Sequence, residues 1–422
     1  MLWQNLDNKV IGIWGQGKEG LAASQAIAKH CSGFEIVNIN EDNTADIAKC
    51  QVLIKSPGVS LYRDEIKKAV ENGIVVTSGT NLFFANKPDK LKVIAVTGTK
   101  GKSTTSALLY HTLQELGKKV ELGGNIGRPL VDLVDSDADW AVAEMSSYQC
   151  ADCQGSADIG ILLNLYPEHL QWHGSHQRYW ADKLHMITQA KTKLLNFKDK
   201  RIMEMTKGVA AEWFNNDNGI HLQNGSFYDG EQRLFAKDVL PLLGDHNAEN
   251  ACAVLSAIKL TGENLRECEE AFKSFKALPH RLTIVAEKDE RTFVDDSIST
   301  TPETAIAALK ALDKGQQLIL IAGGFDRGQD YKELAEYLAQ LGERVSLITL
   351  PDTGVRLGQA AKIKGVLVIN AADMDEAVAE AWKMSKKSGW IILSPAAPSY
   401  NMYKNFEARG EDFVNCIKKL AK

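Results

Sequence analysis

The sequence predicts an α/β protein of three domains built around mostly parallel sheets. Three observations carry that expectation. Short apolar runs of strand length alternate with amphipathic helical runs along the chain, the rhythm of βα units in a parallel sheet. A strand, a glycine turn, a Lys-Ser pair and a helix follow one another at Leu91–Thr105, LKVIAVTGTKGKSTT. The chain has 422 residues, enough for two or three separate cores.

The glycine turn organises the reading. Val93–Val96 is an apolar β-rich run, Gly98 and Gly101 bracket the turn, and Lys102, Ser103 and Thr104 lead into SALLYHTLQELG. Glycine lets backbone wrap close to an anion, and the N–H groups opening a helix face it. Gly98, Thr99, Lys100, Gly101, Lys102, Ser103 and Thr104 are therefore expected to hold the phosphates of ATP. Lys102 supplies a mobile positive charge and Ser103 an oxygen for Mg²⁺. The interval between the two glycines is shorter than in the usual P-loop pattern.

Composition narrows the class. The chain is 44% hydrophobic and 24% charged, that of an ordinary globular protein. A net charge of -5, without a basic-aromatic stripe, argues against nucleic acid as a partner. Seven cysteines without framework spacing indicate a reducing, cytoplasmic compartment. Cys150 and Cys153 form a C-x-x-C with no second pair, which reads as two buried small residues ahead of zinc or redox use. The N-terminus runs straight into a strand with no signal peptide, and no apolar run reaches membrane-spanning length.

In the first domain, strands are expected at Val10–Trp14, Phe34–Ile39, Cys50–Ile54 and Ile74–Thr77, with a helix over Leu21–His30. Gly15–Gly20, GQGKEG, has the G-x-G-x-x-G spacing of a Rossmann-like βαβ unit; a plain helix-capping turn is the alternative. Asn40, or Glu41 beside it, is placed to touch a ribose or a base. Lys55–Gly58 makes a tight loop at a strand's carboxyl end. Asn86–Lys90, polar and containing Pro88, reads as a hinge.

The central P-loop domain continues with GGNIGRPL, Gly123–Leu130, where Asn125 is the expected reader of a backbone-close ligand. Trp140–Ala143 is a strand that delivers Glu144. A carboxylate there is a natural Mg²⁺ ligand, the alternative being a local ion pair. After the strand Ile159–Leu163, NLYPEHLQWHG crowds Glu168, His169 and His173. His169 is the stronger metal candidate, and His173 caps or packs. Lys183 sits on a helix expected over 181–194. A two-stranded or mixed region follows at 200–240, then a helix within Leu242–Leu260 that opens near Asn247, a base-edge reader or an ordinary cap.

The third domain begins near Leu278, with His280 and Arg281 at its boundary. A strand at Thr292–Val294 ends at Asp295 and Asp296, either of which can hold a ribose. A helix over 303–313 and the strand Leu318–Ile321 precede Arg327, in a glycine-flanked loop suited to gripping an oxyanion. Alternation continues over 331–341, 345–349, 353–363, 366–369 and 374–387. The last strand, Ile391–Leu393, runs into SPAAPSYNMYKNFEARG, read as a long loop forming a substrate wall. The expected domains are 1–88, 89–277 and 278–422. This set suits ATP work with a divalent metal, either hydrolysis coupled to motion or γ-phosphoryl transfer. Closure by loops carrying Asp296, Arg327 and Ser399 would exclude water and favour a reactive acyl phosphate attacked by an amine.

TGTKGKST, GGNIGRPL, EMSSYQ, LPHR and SPAAPSYNMYKNFEARG, in that order, resemble the Mur ligases, ATP-dependent amide-forming enzymes of peptidoglycan precursor synthesis. The resemblance covers nearly the whole chain and is nearest to the glutamate-adding branch. It implies an N-terminal domain for the uridine diphosphate of UDP-N-acetylmuramoyl-L-alanine, a central ATPase domain and a C-terminal Rossmann-like domain for glutamate. It further implies two Mg²⁺ held by Ser103, Glu144, His169 and a carbamylated Lys183, with Lys102, His169 and Lys183 catalytic. Gly17, Lys18, Glu19, Asn40 and Asn125 would bind the UDP-sugar, and Asn247, Arg281 and Asp296 the nucleotide. Thr300, Arg327, Ser399 and Phe406 would shape the glutamate pocket. The protein is expected to be a monomer.

Three departures from the family pattern matter, of which the first two lie near the amino-acid pocket. Members adding D-glutamate usually read DSKATN where this chain reads DSISTT, Asp296–Thr301, so Ile298 replaces a lysine. Arg327 stands where a lysine is common, and Gln171 where the family has an acid. D-glutamate is the expected amino acid, with L-glutamate, added by an uncommon branch, the alternative. The rivals are a folylpolyglutamate-type ligase, which begins at the ATPase domain and so lacks the first βαβ unit, and a non-catalytic ATP-gated binding module.

Overall fold

The computed structural model describes residues 1–166 and 170–420, with no side chain described at 170 and 171. The chain forms two compact units, Met1–Leu240 with Asn247–Phe275, and Pro241–His246 with Lys276–Lys422. His169 and Glu168, singled out from the sequence, lie outside the described residues.

The first unit contains two parallel sheets. One is formed by β1 (Val10–Trp14), β2 (Glu35–Ile39), β3 (Val52–Lys55) and β4 (Val75–Thr77) in the order β2-β1-β3-β4. Its helices are α1 (Lys18–His30), α2 (Asp64–Glu71) and α3 (Gly79–Asn86). Side chains alternate across the pleat. Ile11, Ile13, Val52 and Ile54 face one cluster, while Trp14, Ile39 and Leu53 face the other. Burial on both faces explains why β1 and β3 read as apolar runs.

The second sheet has the order β10-β9-β8-β5-β7-β6. Its strands are β5 (Lys92–Thr97), β6 (Val120–Gly124), β7 (Trp140–Glu144), β8 (Ile159–Leu162), β9 (Thr192–Asn196) and β10 (Glu212–Phe214), all parallel. The helices here are α4 (Lys102–Glu115), α5 (Ser147–Asp152), α6 (Leu170–His173), α7 (His176–Gln189), α8 (Lys200–Met205), α9 (Asp245–Thr261) and α10 (Cys268–Ser274). An antiparallel sheet of β11 (Ile220–Gln223), β12 (Ser226–Asp229) and β13 (Gln232–Ala236) fills the mixed region. One apolar cluster runs from Ile11 and Ile13 through Leu82 and Phe83 of α3 to Val93, Ala95, Ala141 and Ala143. The segment read as a hinge is thus anchored: Asn86 bonds the Met1 carbonyl and accepts from the Trp3 amide.

In the second unit the order is β14-β15-β19-β16-β17-β18, over β14 (Thr283–Lys288), β15 (Arg291–Asp295), β16 (Leu318–Gly324), β17 (Val345–Asp352), β18 (Leu367–Asn370) and β19 (Trp390–Leu393). β14 is antiparallel to β15, and the other pairs are parallel. Five helices complete it: α11 (Pro302–Leu312), α12 (Lys332–Leu341), α13 (Thr353–Ile363), α14 (Met374–Met384) and α15 (Phe406–Lys419). Leu318, Leu320 and Ile392 pack on one face of the sheet, and Ile319, Ile321, Ile391 and Leu393 on the other.

Among the elements that differ from the sequence reading are α7, β14 and α15. The helix expected over 181–194 is α7, shifted toward the N-terminus because Ser175 caps it by accepting from the Arg178 amide; residues 192–194 belong to β9. β14 was not expected, since its half-exposed edge position leaves no apolar alternation to read. The supposed loop at the C-terminus becomes α15 at Phe406, capped by Asn405, whose side chain accepts from the Ala408 amide. Cys150 and Cys153 are both buried free thiols, and burial pushes Cys153 up to about 12, so they pack.

Gly410 on α15 marks the tightest joint of this unit. A Cβ there would overlap His280 Nδ1 and stand 2.6 Å from both Asp295 Oδ2 and Ser297 Oγ. Gly410→Ala is expected to destabilise the second unit by about 1–3 kcal/mol, the usual range for overpacking, read as a lower denaturant midpoint. An unchanged midpoint would show that the joint yields freely.

Candidate active site

In parallel sheets, ligands bind outside the carboxyl ends of the strands. In the first unit, loops from the carboxyl ends of both sheets line one cavity of about 500 Å³. The first sheet contributes Gly15, Gly17, Lys18 and Glu19 after β1, and Ser56, Pro57 and Gly58 after β3. The second contributes Lys102, Asn125, Ser146–Gln149, Tyr179 and Lys183.

The Gly98–Thr104 segment has the strand before it, the turn and the helix start that its sequence implies. Gly101 has φ +83°, and a Cβ there would overlap the side-chain amide of Asn250, so the turn admits only glycine. Asn164 clamps the loop from below, accepting from the Lys100 amide at 2.8 Å and donating to the Lys100 carbonyl at 3.0 Å. Lys102 opens α4, and its Nζ donates to the carbonyls of Gly98 (3.0 Å) and Thr99 (2.9 Å). Lys183, 1% exposed, donates to the same Gly98 carbonyl at 2.8 Å. Ser103 is buried in the first turn of α4, with Thr104 beside it.

Glu144, at the end of β7, is wholly buried. One carboxylate oxygen accepts from Asn125 Nδ2 at 2.8 Å, while Oε2 has no hydrogen-bond partner. A buried carboxylate oxygen left without a donor calls for a cation. With the Ser103 hydroxyl on the neighbouring helix, the donor chemistry is that of Mg²⁺.

The sequence reading missed several residues here. Ser146 caps α5 by accepting from the Gln149 amide, and Gln149 Oε1 accepts from the Ser146 amide. The S-x-x-Q spacing of EMSSYQ carries that signal. Gln149 Nε2 is buried, unpartnered and part of the cavity wall. Tyr179 Oη donates to Thr99 Oγ1 at 3.0 Å. Asn247 lies in the first turn of α9, one turn before Asn250 and so on the same helix face.

Among the residues expected to bind the UDP-sugar, Gly17 caps α1, Lys18 donates to the Gly127 carbonyl at 2.7 Å, and Glu19 lines the cavity. Asn40 stands apart from the lining residues. It is exposed, and its side chain accepts from the Asp42 amide within its own turn.

The second unit holds the remaining candidates at the carboxyl edge of its own sheet. Asp296 is turned inward, with Oδ2 accepting from Ser299 and Ser394 and Oδ1 from the Leu282 amide. Burial raises its carboxyl to about 6 despite those bonds. Half-buried Arg281 is flanked by His280 and Leu282 at φ +65° and +44°, strain that persists only where surroundings impose it. Arg409, buried on α15, donates to the carbonyls of Ala397 and Ser297, tying together the loops after β15 and β19. Burial brings its guanidinium down to about 10. Ser399 is buried in the loop after β19, Thr300 and Phe406 are half-buried, and Arg327 is exposed with its guanidinium 5.5 Å from the Tyr400 ring centre. Among the described residues, no three His, Cys, Asp or Glu side chains cluster as a metal site, and no helix is long and apolar enough to cross a membrane.

Comparison with known proteins extends this picture. Residues 96–258 match the model of the Mur ligase middle domain, and 280–397 that of the Mur ligase glutamate ligase domain. A protein of Xanthomonas campestris named UDP-N-acetylmuramoyl-L-alanine–L-glutamate ligase is 36% identical, over 97% of this chain and 95% of its own length. A Micromonospora protein of the same name is 34% identical, over 100% and 99%. Among solved structures, the UDP-N-acetylmuramate–alanine ligase of Thermotoga maritima shares the fold with TM-score 0.64 at 18% identity, covering 98% of this chain and all of that one. The folylpolyglutamate synthase of Mycobacterium tuberculosis shares it with TM-score 0.61 at 14% identity, covering 79% and 93%.

Glu19 gives the cavity a pH signature. Burial first, then Asp132, raises its carboxyl from 4.5 to about 7, against a lowering by Lys18. The folded state holds this proton more tightly than the unfolded state. Its contribution to stability is therefore full below pH 4.5 and is lost as pH rises through 7. Denaturant midpoints of the wild type and Glu19→Gln, taken from pH 5 to 8, should differ by a term that falls by about 1–2 kcal/mol with rising pH, allowing for partial exposure. Parallel profiles would contradict the assignment.

Proposed function

The chain belongs to the Mur ligase family, and from that membership we propose that it joins L-glutamate to UDP-N-acetylmuramoyl-L-alanine. It is an ATP-dependent carboxylate–amine ligase of peptidoglycan precursor synthesis. The observation that carries the choice of substrate is the near full-length match to relatives named for L-glutamate addition. Those names turn the sequence-based expectation of D-glutamate toward its alternative, in keeping with Ile298 and Arg327 at positions where lysine is usual.

The reaction divides into two steps. An oxygen of the alanyl carboxylate attacks the γ-phosphorus of ATP, the bond to the β–γ bridging oxygen breaks, and ADP leaves. The amine of glutamate then attacks the carbonyl carbon of the acyl phosphate. A C–N bond forms, the amine gives up a proton, and inorganic phosphate departs. Lys102, whose Nζ rests on the loop carbonyls, is assigned to the phosphate oxygens, with the amides of residues 98–104 around them. Glu144 and Ser103 are assigned to Mg²⁺, which when bound offsets phosphate charge; His169 completes that set by family resemblance.

Lys183 is proposed to carry a carbamate. That change removes a cation from beside Lys102 and offers a carboxylate-like oxygen in its place. By the same resemblance, residues 1–88 serve the uridine diphosphate through Gly17, Lys18, Glu19 and Asn40, and 89–277 serve ATP with Asn125 toward the UDP-sugar. Asn247, Arg281 and Asp296 are assigned to the nucleotide, and Thr300, Arg327, Ser399 and Phe406 within 278–422 to glutamate.

Phosphate release is expected with UDP-N-acetylmuramoyl-L-alanine, ATP and L-glutamate, and not with D-glutamate. Release with D-glutamate alone would reverse the isomer, and release with neither would remove the glutamate-ligase reading. Lys102→Ala should lower kcat by roughly 10²–10³-fold, the cost of one donor to developing charge; an unchanged rate would break the phosphate-loop argument. Lys183→Ala should be inactive and partly rescued by short carboxylic acids. Full activity without them would exclude a carbamate.

A further inference from the structure

A chain of hydrogen bonds in the first unit runs from the loop before α2 to Ser147 in the cavity wall. Tyr62 Oη, in the loop before α2, donates to Asp182 Oδ1 at 2.6 Å. Asp182 Oδ2 lies 2.5 Å from His173 Nδ1, and His173 Nε2 lies 3.0 Å from Ser147 Oγ. His173 is wholly buried and Ser147 is 4% exposed in the cavity wall. The same two segments are stitched again where Ser60 Oγ donates to the Trp172 carbonyl and Trp172 Nε1 to the Gly58 carbonyl.

The direction of this chain follows from which groups can donate. Burial and the Asp182 carboxylate push the Tyr62 phenol up, so Tyr62 gives its proton into the bond. A carboxylate only accepts, so His173 Nδ1 must donate to Asp182. With the ring proton on Nδ1 alone, Nε2 is bare and takes the hydroxyl proton of Ser147. The lone pairs of Ser147 Oγ are then left toward the cavity. A phosphate oxygen, itself an acceptor, finds no donor in the Ser147 hydroxyl.

We propose that His173 is a positioning residue that presents Ser147 Oγ as a hydrogen-bond acceptor to an N–H or O–H group on the carbohydrate–peptide part of the sugar nucleotide. The inference rests on the proposed function, which puts that substrate in this cavity. It divides the wall into an anion-holding part, at Lys102, and a donor-reading part at Ser147. The sequence reading assigned His173 only a capping or packing role.

The test measures dissociation constants of the full-length protein for UDP-N-acetylmuramoyl-L-alanine and, separately, for ATP. Ser147→Ala and His173→Gln should each weaken sugar-nucleotide binding roughly tenfold, the size of one lost hydrogen bond, with ATP binding unchanged. The double variant should be no weaker than Ser147→Ala alone, because both changes remove one interaction. Losses that multiply in the double variant, or an equal loss toward ATP, would overturn the positioning role. Where His173→Gln does not fold, Tyr62→Phe carries the same test. It should weaken sugar-nucleotide binding about threefold by loosening the chain's far end, and have no effect in the Ser147→Ala background. An equal effect in both backgrounds would overturn the proposal. A wild type that binds no sugar nucleotide would instead overturn the proposed function.

Discussion

Two ammonium groups, those of Lys102 and Lys183, donate to one oxygen, the carbonyl of Gly98. Charges sharing a single acceptor stand no more than about 6 Å apart, where repulsion at an effective dielectric of 20 is about 3 kcal/mol. The fold imposes this crowding. Lys102 is fixed by the first turn of α4, and Lys183 is held inside by α7. An anion beside them turns the repulsion into binding energy, and a carbamate on Lys183 would remove it altogether. With both side chains as ammonium groups, the glycine turn concentrates positive charge; with the carbamate, Lys102 alone supplies it.

That concentration has value because a second sheet delivers its own loops to the same place. β1 and β3 end at Gly15 and Ser56, while β5 and β7 end at the phosphate loop and Glu144, and one apolar cluster passes between the two sheets. Burial of both sheet faces leaves the carboxyl-end loops as the free backbone, and these line the cavity. Around it, chemistry is zoned by what each group can donate. On the proposed function, Lys102 and the loop amides serve anions, the Glu144 oxygen without a partner serves a cation, and Ser147 serves a donor.

Much of this was legible in the sequence where local rules act alone. The apolar run, the two glycines and Lys-Ser identify the phosphate loop because φ +83° at Gly101 and a helix start are local demands. Strands buried on both faces showed as apolar runs for the same reason. β14 was hidden because it lies at an edge, half-exposed, and joins β15 through Asp289 and Glu290 at positive φ without a glycine. α15 was hidden by the polar-aromatic stretch before its Asn405 cap. The Tyr62–Asp182–His173–Ser147 chain joins residues up to 120 positions apart, and no local pattern encodes it. Asn40, expected as a ligand by its place after β2, closes its own turn through Oδ1.

The account turns on the Gly98–Thr104 turn as the seat of the ATP phosphates. A crystal structure with a non-hydrolysable ATP analogue and Mg²⁺ tests that most directly. The triphosphate should lie within hydrogen-bonding distance of Lys102 Nζ and the loop amides, with the metal against Ser103 and Glu144. A triphosphate seated elsewhere, with Lys102 still bonded to the Gly98 and Thr99 carbonyls, would contradict it.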